Sequence, residues 1–195
     1  TSGAVLDLAG FTLGTSEALT LNGSGITNSG ALMNSGAAAT YSGLITLGSA
    51  TRINGGTGTI NISNASTITG SGFTLTLGGA QGGTLTSILG TLAGGLTIVD
   101  GGTWTIAGNN TYTGTTTVTA GTLILNAAGR IADGSALVVN GTFDMNGFNE
   151  TVASLAGAGL VTSAASGTIT LTTSGSTNTT FSGVIENGSA TSVGL

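Results

Sequence analysis

Cysteine, proline, lysine and histidine are all missing from this 195-residue chain, and two arginines are its only cationic side chains. Each absence closes off some chemistry. Without cysteine there is no disulfide staple and no thiolate nucleophile. Without histidine there is no imidazole base for serine–histidine catalysis, and clusters of His and Cys metal ligands cannot be assembled. Without lysine no Lys–Asn isopeptide crosslink can form within the segment. Charge is scarce as well, at 5% of residues against about 25% in ordinary globular domains. A net charge of −5 with only two cations argues against nucleic acid as a partner. Long apolar runs are lacking too. Mean hydropathy is positive, at +0.45, yet the longest candidate, SILGTLAGGLTIV at 87–99, is interrupted by Gly and Thr. It falls short of the ~18 uninterrupted apolar residues that a membrane-spanning helix requires and reads as a pair of buried strands.

What fills the chain instead is threonine, serine, asparagine and 37 glycines, with 39% hydrophobic residues. The supply of Val, Ile and Leu is too rich for a disordered Gly/Ser tract and sufficient for a core. No stretch sustains a 3.6-residue period, so helix is not expected. Short alternating runs do occur. In GTLIL (121–125), Leu123 and Leu125 fall on one face and Thr122 and Ile124 on the other; in GTWTI (102–106), Trp104 and Ile106 point inward between threonines. Threonine suits the outer face of a strand, being stiff at χ1 yet hydroxylated. The connecting NGG, GNN, DGG and DGS clusters tolerate the positive φ of sharp corners.

These runs repeat. Gly-Thr followed by an apolar residue begins GTINI (58), GTLTS (83), GTWTI (102), GTLIL (121), GTFDM (141) and GTITL (167). Successive starts lie 19–26 residues apart, within the range of repeat architectures. A longer period, roughly 70 residues, separates Tyr41-Ser42-Gly43, Tyr112-Thr113-Gly114 and Phe181-Ser182-Gly183. Short strands on a recurring step predict an all-β solenoid in which each strand pairs with its counterpart one turn along; a β-sandwich would lack the step. Roughly 22 residues per turn gives about nine turns and, at ~4.8 Å per rung, a rod of about 40 Å. Missing proline fits, because every ladder position must donate its N–H. The whole of 1–195 is expected to be one solenoid segment, with weakly matching turns in 1–40, repeat blocks at 41–111 and 112–180, and the start of another at 181–195. The opening TSGAVLDL and the closing SVGL, both mid-pattern, read as the cut ends of a longer chain.

The stretch GNNTYTGTTTVTAGTLIL (108–125) resembles the autotransporter-associated β-strand repeat of bacterial passenger regions and related large surface proteins. DGSALVVNGTFDMNGFNETVASLAGAGLV (133–161), TTFSGVIENGS (179–189), YSGLITLGSATRINGGTGTINIS (41–63) and GGLTIVDGGTWTIAG (94–108) are similar to other parts of that family. The resemblance implies a right-handed parallel β-helix, secreted and displayed outside the cell. One departure is Val99-Asp100, where the family typically carries Lys.

The sequence singles out no catalytic, cofactor-binding or metal-binding residue. Of the seven acids, Asp144 and Glu150 lie closest together and would be the pair to converge if the chain were a carbohydrate-active β-helix enzyme; as isolated acids they read as solvated corner or strand-edge carboxylates. Arg130 with Asp133 reads as a local corner ion pair, and Arg52, the other cation, lies 78 residues from Arg130. Neither a GK[ST] phosphate loop nor a GGxGxD calcium pattern is present. The eight Asn-x-Ser/Thr sequons, at Asn22, Asn61, Asn64, Asn109, Asn140, Asn149, Asn178 and Asn187, follow from placing Asn at corners before hydroxyl-rich strands. Thr-x-Thr pairs beginning at Thr67, Thr74, Thr84 and Thr103 are unevenly spaced, unlike the flat ladder of an ice-binding solenoid. The leading reading is a non-enzymatic structural or adhesive rod at the bacterial cell surface, meeting glycans or proteins of a host, a neighbouring cell or the matrix, with no cofactor and no membrane-spanning segment. Alternatives are an end-to-end assembling filament or surface-layer subunit and, behind it, the β-helix enzyme.

Overall fold

The computed structural model describes residues 3–13 and 15–195; Thr1, Ser2 and Gly14 lie outside the description, so TSGAVLDL is followed only from Gly3. Every strand pairing is parallel, as a coil demands and a sandwich forbids. Among the described residues the sole helical element is a single 3-10 turn at Ile26–Asn28. The chain winds through three walls. The second wall is the most regular: eight strands stack in the order Ala39–Tyr41, Ile60–Ile62, Gly82–Leu85, Thr103–Ile106, Thr122–Leu125, Thr142–Asp144, Leu160–Thr162 and Val184–Ile185. Eight rungs give about eight turns and, at ~4.8 Å each, a wall of roughly 34 Å. The first wall carries another eight strands, from Leu6–Asp7 to Ser154–Ala156.

Register explains the core. One inward column of the second wall runs Ala39, Ile60, Gly83, Trp104, Leu123, Phe143, Val161, Ile185. Beside it run Tyr41, Ile62, Leu85, Ile106 and Leu125. The first wall answers with Leu32, Ile53, Leu77, Ile98, Val118 and Val139, all buried. Like therefore sits on like along the axis, and the aliphatic stack excludes water continuously from turn to turn. Trp104 needs the most room, and its neighbour in the column is Gly83, where any side chain would strike the Ile60 carbonyl oxygen. The indole Nε1 donates to the Gly78 carbonyl at 3.1 Å, so the one buried Trp is satisfied. The stretch at 87–99 supplies two strands, Ile88–Gly90 and Leu96–Ile98, as its broken apolar pattern predicts.

Two features differ from the sequence reading. Five of the six Gly-Thr units lie on the second wall, but GTITL (167–171) builds the third wall, where Leu171 pairs with Glu150. The second-wall rung of that turn is Leu160–Thr162, preceded by Gly159. Turn length is correspondingly uneven: the chain takes a shorter path from Phe143 to its partner Val161 than from Val161 to its next partner, Ile185. A Gly-Thr start marks a strand leaving a corner, and any of three corners can supply one. The aromatic–hydroxyl–glycine motifs likewise do not stack. Tyr41 ends a second-wall strand, Tyr112 precedes a first-wall strand, and Phe181 bridges Gly157. Corners do use positive φ as expected, at Asp100 (63°), Asn146 (48°) and Gly121 (69°). Leu92 also takes a positive φ (55°), and nothing in its surroundings explains it.

Candidate functional site

The outer face of the walls is built largely of threonine. On the second wall Thr103, Thr122 and Thr142 stack in register, with Thr84 beside Thr105 in the adjoining column. On the first wall Thr76, Thr97 and Thr117 stack in the same way. Threonines placed on outer strand faces thus stack into hydroxyl ladders despite the uneven Thr-x-Thr starts; register, not chain distance, brings them together. Toward the C-terminal turns the columns change to Val138 and Ala156 on one wall and Leu160 and Val184 on the other. At the opposite end Arg52 extends the first-wall column and pairs with Asp100, whose carboxylate also accepts the Gly79 N–H at 2.7 Å. Asp100 thus has a structural use at the position where the family resemblance departs. The pair ties together turns well separated in sequence and, being on the surface, contributes about 1 kcal/mol at most.

Chemistry concentrates on the third wall. Its ladder runs through Thr67–Thr69 and Ile88–Gly90 and resumes at Glu150–Val152. No strand forms there in the two intervening turns, and side chains make the missing rungs. Asn110, only 7% exposed, accepts the Leu89 N–H at 2.7 Å and donates to the Arg130 carbonyl at 2.6 Å, spanning one turn on each side. Glu150, 2% exposed, takes the Arg130 N–H at 2.9 Å on Oε2 and the Thr151 N–H at 3.3 Å on Oε1. Below Asn110 the fully buried Tyr112 hydroxyl meets Thr116 Oγ1 at 2.6 Å. Thr116 Oγ1 lies 3.0 Å from Ser135 Oγ, which donates to the Gly114 carbonyl at 2.7 Å. Burial pushes the Tyr112 phenol well above its ordinary pKa. Burial also raises Glu150, to about 7, against the opposing pull of its backbone donors and with the Asp133 charge adding to the rise. Replacing Asn110 with Ala removes the partners of the Leu89 N–H and the Arg130 carbonyl at once. We expect a loss of about 2–3 kcal/mol, measured by urea unfolding, because both groups lie where water does not reach easily.

The structure revises the sequence reading of the acids. Asp144 is 6% exposed, not solvated, and its Oδ1 accepts the N–H groups of Asn146 (2.8 Å) and Ala164 (2.9 Å). Glu150 points inward, at a position whose register partner is Leu171. The two carboxylates lie on different walls, and each accepts one backbone N–H from its own stretch of chain and one from a neighbouring turn. The Arg130–Asp133 ion pair does not form; Arg130 uses its backbone toward Glu150 and Asn110, while its Nε is buried without a partner among the described residues. Polarity at a corner usually means solvent, but a coil hides its corners under the adjacent turns. Asn110 and Tyr112 form a polar seam that strand alternation does not single out. Their signal was the Asn-Asn-Thr-Tyr run itself, polar where a strand ought to alternate. Of the aromatics, Trp104, Tyr41, Tyr112 and Phe143 are fully buried, Phe73, Phe148 and Phe181 pack partly against the core, and Phe11 alone stands exposed among the described residues, so they form no aromatic surface stripe.

Comparison with known proteins agrees with this architecture. Residues 96–125 match the family model described as passenger-associated-transport-repeat. A protein of Brucella suis biovar 1 (strain 1330), named Adhesin BmaC autotransporter, is 40% identical over 110 residues. That alignment takes in 54% of this chain but only 3% of the far longer relative. No solved structure matches the chain.

Proposed function

We propose that this chain is a stretch of a secreted bacterial passenger, a stiff β-solenoid rod that holds adhesive surface away from the cell. The observation that carries the reading is the similarity to a protein named as an adhesin autotransporter, taken with the continuous parallel ladders of the first and second walls. A solenoid is stiff along its axis because each rung bonds only to its two neighbours, and each wall has many such bonds in parallel. Threonine columns with scarce charge give a hydrated face that makes many weak hydrogen-bonded contacts rather than one ionic lock. The reading is non-enzymatic: Asp144 Oδ1 and both Glu150 oxygens accept backbone N–H groups of the coil. Its contacts would be with glycans or proteins of a host, a neighbouring cell or the matrix. Beads coated with the purified chain should be retained on cultured host cells or on matrix several-fold above albumin-coated beads. Retention equal to albumin on every surface would remove the adhesive part of the proposal. Negative-stain images of the same sample should show dispersed short rods; long uniform fibres would instead indicate a filament subunit.

A further inference from the structure

We infer that residues 127–134, in the second of the two strandless turns of the third wall, form a flap that the Glu150 carboxyl group latches in acid and releases as the solution turns neutral to alkaline. The segment lies between the Thr122–Leu125 and Ala136–Val139 strands and has no ladder of its own. Arg130 is tied down on one side by the Asn110 amide through its carbonyl and on the other by the Glu150 carboxyl group through its N–H. Ile131, fully buried, is its apolar anchor.

The latch stands in an unusual place. Glu150 occupies an inward position, with Leu171 and Val152 buried beside it. A neutral carboxyl group is tolerated among such neighbours, whereas a carboxylate there forfeits hydration. No cation among the described residues offsets it: the Arg130 guanidinium forms no ion pair with Glu150, and its Nε is left unpartnered. The other titratable neighbours are Asp133, on the flap itself, whose charge opposes a negative Glu150, and the buried Tyr112 phenol, which stays neutral and offers no compensating charge. The underlying strand, Thr168–Thr173, contains no titratable side chain.

The sign follows. A carboxyl group raised to about 7 when folded, from an ordinary value of 4.5, holds its proton more tightly closed than open. Its stabilisation of the closed wall is complete below the open-state value and is lost as pH rises through the folded one. An ionised Glu150 regains water by swinging outward, and the flap loses the acceptor of its Arg130 N–H.

Hydrogen exchange of the full chain, read by mass spectrometry at pH 5 and pH 8 with labelling times scaled for chemical exchange, tests this. Protection of the peptide covering 127–134 should fall by roughly one to two orders of magnitude between the two pH values, while second-wall peptides hold theirs. In Glu150→Gln the drop should vanish. Equal scaled protection at both pH values in the native chain, or the same drop in the variant, overturns the latch. Should the variant fail to fold, the carboxyl carbons of the native chain, labelled at glutamate, decide. A Glu150 resonance titrating near neutrality supports the inference, and one titrating in the ordinary carboxylate range ends it.

Discussion

Leu123→Asp should collapse the coil's stability, while Thr122→Asp, one residue earlier, should be mild. Leu123 is fully buried, with Trp104 and Phe143 as its partners on the neighbouring rungs. A carboxylate there has no cation and no free donor within an aliphatic stack, and such a buried unpaired charge costs about 3–5 kcal/mol or more. Thr122 faces outward between Thr103 and Thr142. Aspartate loses strand propensity there but keeps its water, a cost of about 1 kcal/mol or less. With a melting shift of about 2–4 °C per kcal/mol for a chain of this size, the two variants should separate by roughly 4 °C or more in thermal unfolding followed by circular dichroism. Equal shifts would mean that the faces are assigned wrongly, and with them every inward column described above.

Trp104→Ala is expected to lose about 3–5 kcal/mol in urea unfolding, close to the upper end for core truncations. Three circumstances combine. The indole is the largest buried side chain, its adjacent rung offers only Gly83, and its N–H serves the Gly78 carbonyl. A hole left at this point cannot be refilled from Gly83, which has no side chain to move in. The Leu123 side chain on the other side already belongs to the stack. Trp104→Phe keeps most of the volume and loses the hydrogen bond, so about 1–2 kcal/mol is expected. If Ala and Phe variants both unfold like the native chain, the indole is not part of the central packing. Because each turn touches only its neighbours, the loss should concentrate in the turns around residue 104 instead of spreading evenly, and local exchange would register it there.

Much of the architecture was present in the chain before any coordinate. Alternation in GTWTI and GTLIL set which side chains turn inward, the absence of proline kept all ladder donors available, and Gly, Asn and Asp marked the corners. These are local properties: alternation and corner tolerance depend on a residue and its immediate neighbours, and so they survive in one dimension. The passenger resemblance rested on the same strings and held where the family match falls, at 96–125.

Phase and burial were not legible in that way. GTITL looks like its five predecessors yet belongs to another wall, because the number of residues spent in each corner is free to vary while the rungs remain aligned. Asp144 and Glu150 looked like surface acids, and only the turns stacked above and below turned them into acceptors hidden in the coil. The seam of Asn110, Tyr112, Thr116 and Ser135 joins residues whose proximity depends on how one turn settles upon the next. The sequence by itself therefore determined the rungs, their faces and the parallel stacking, since period and alternation are written residue by residue. The tertiary structure alone decided which wall each rung joins and which polar groups are buried, since hydration depends on what lies one turn away along the axis, about twenty residues distant in the chain.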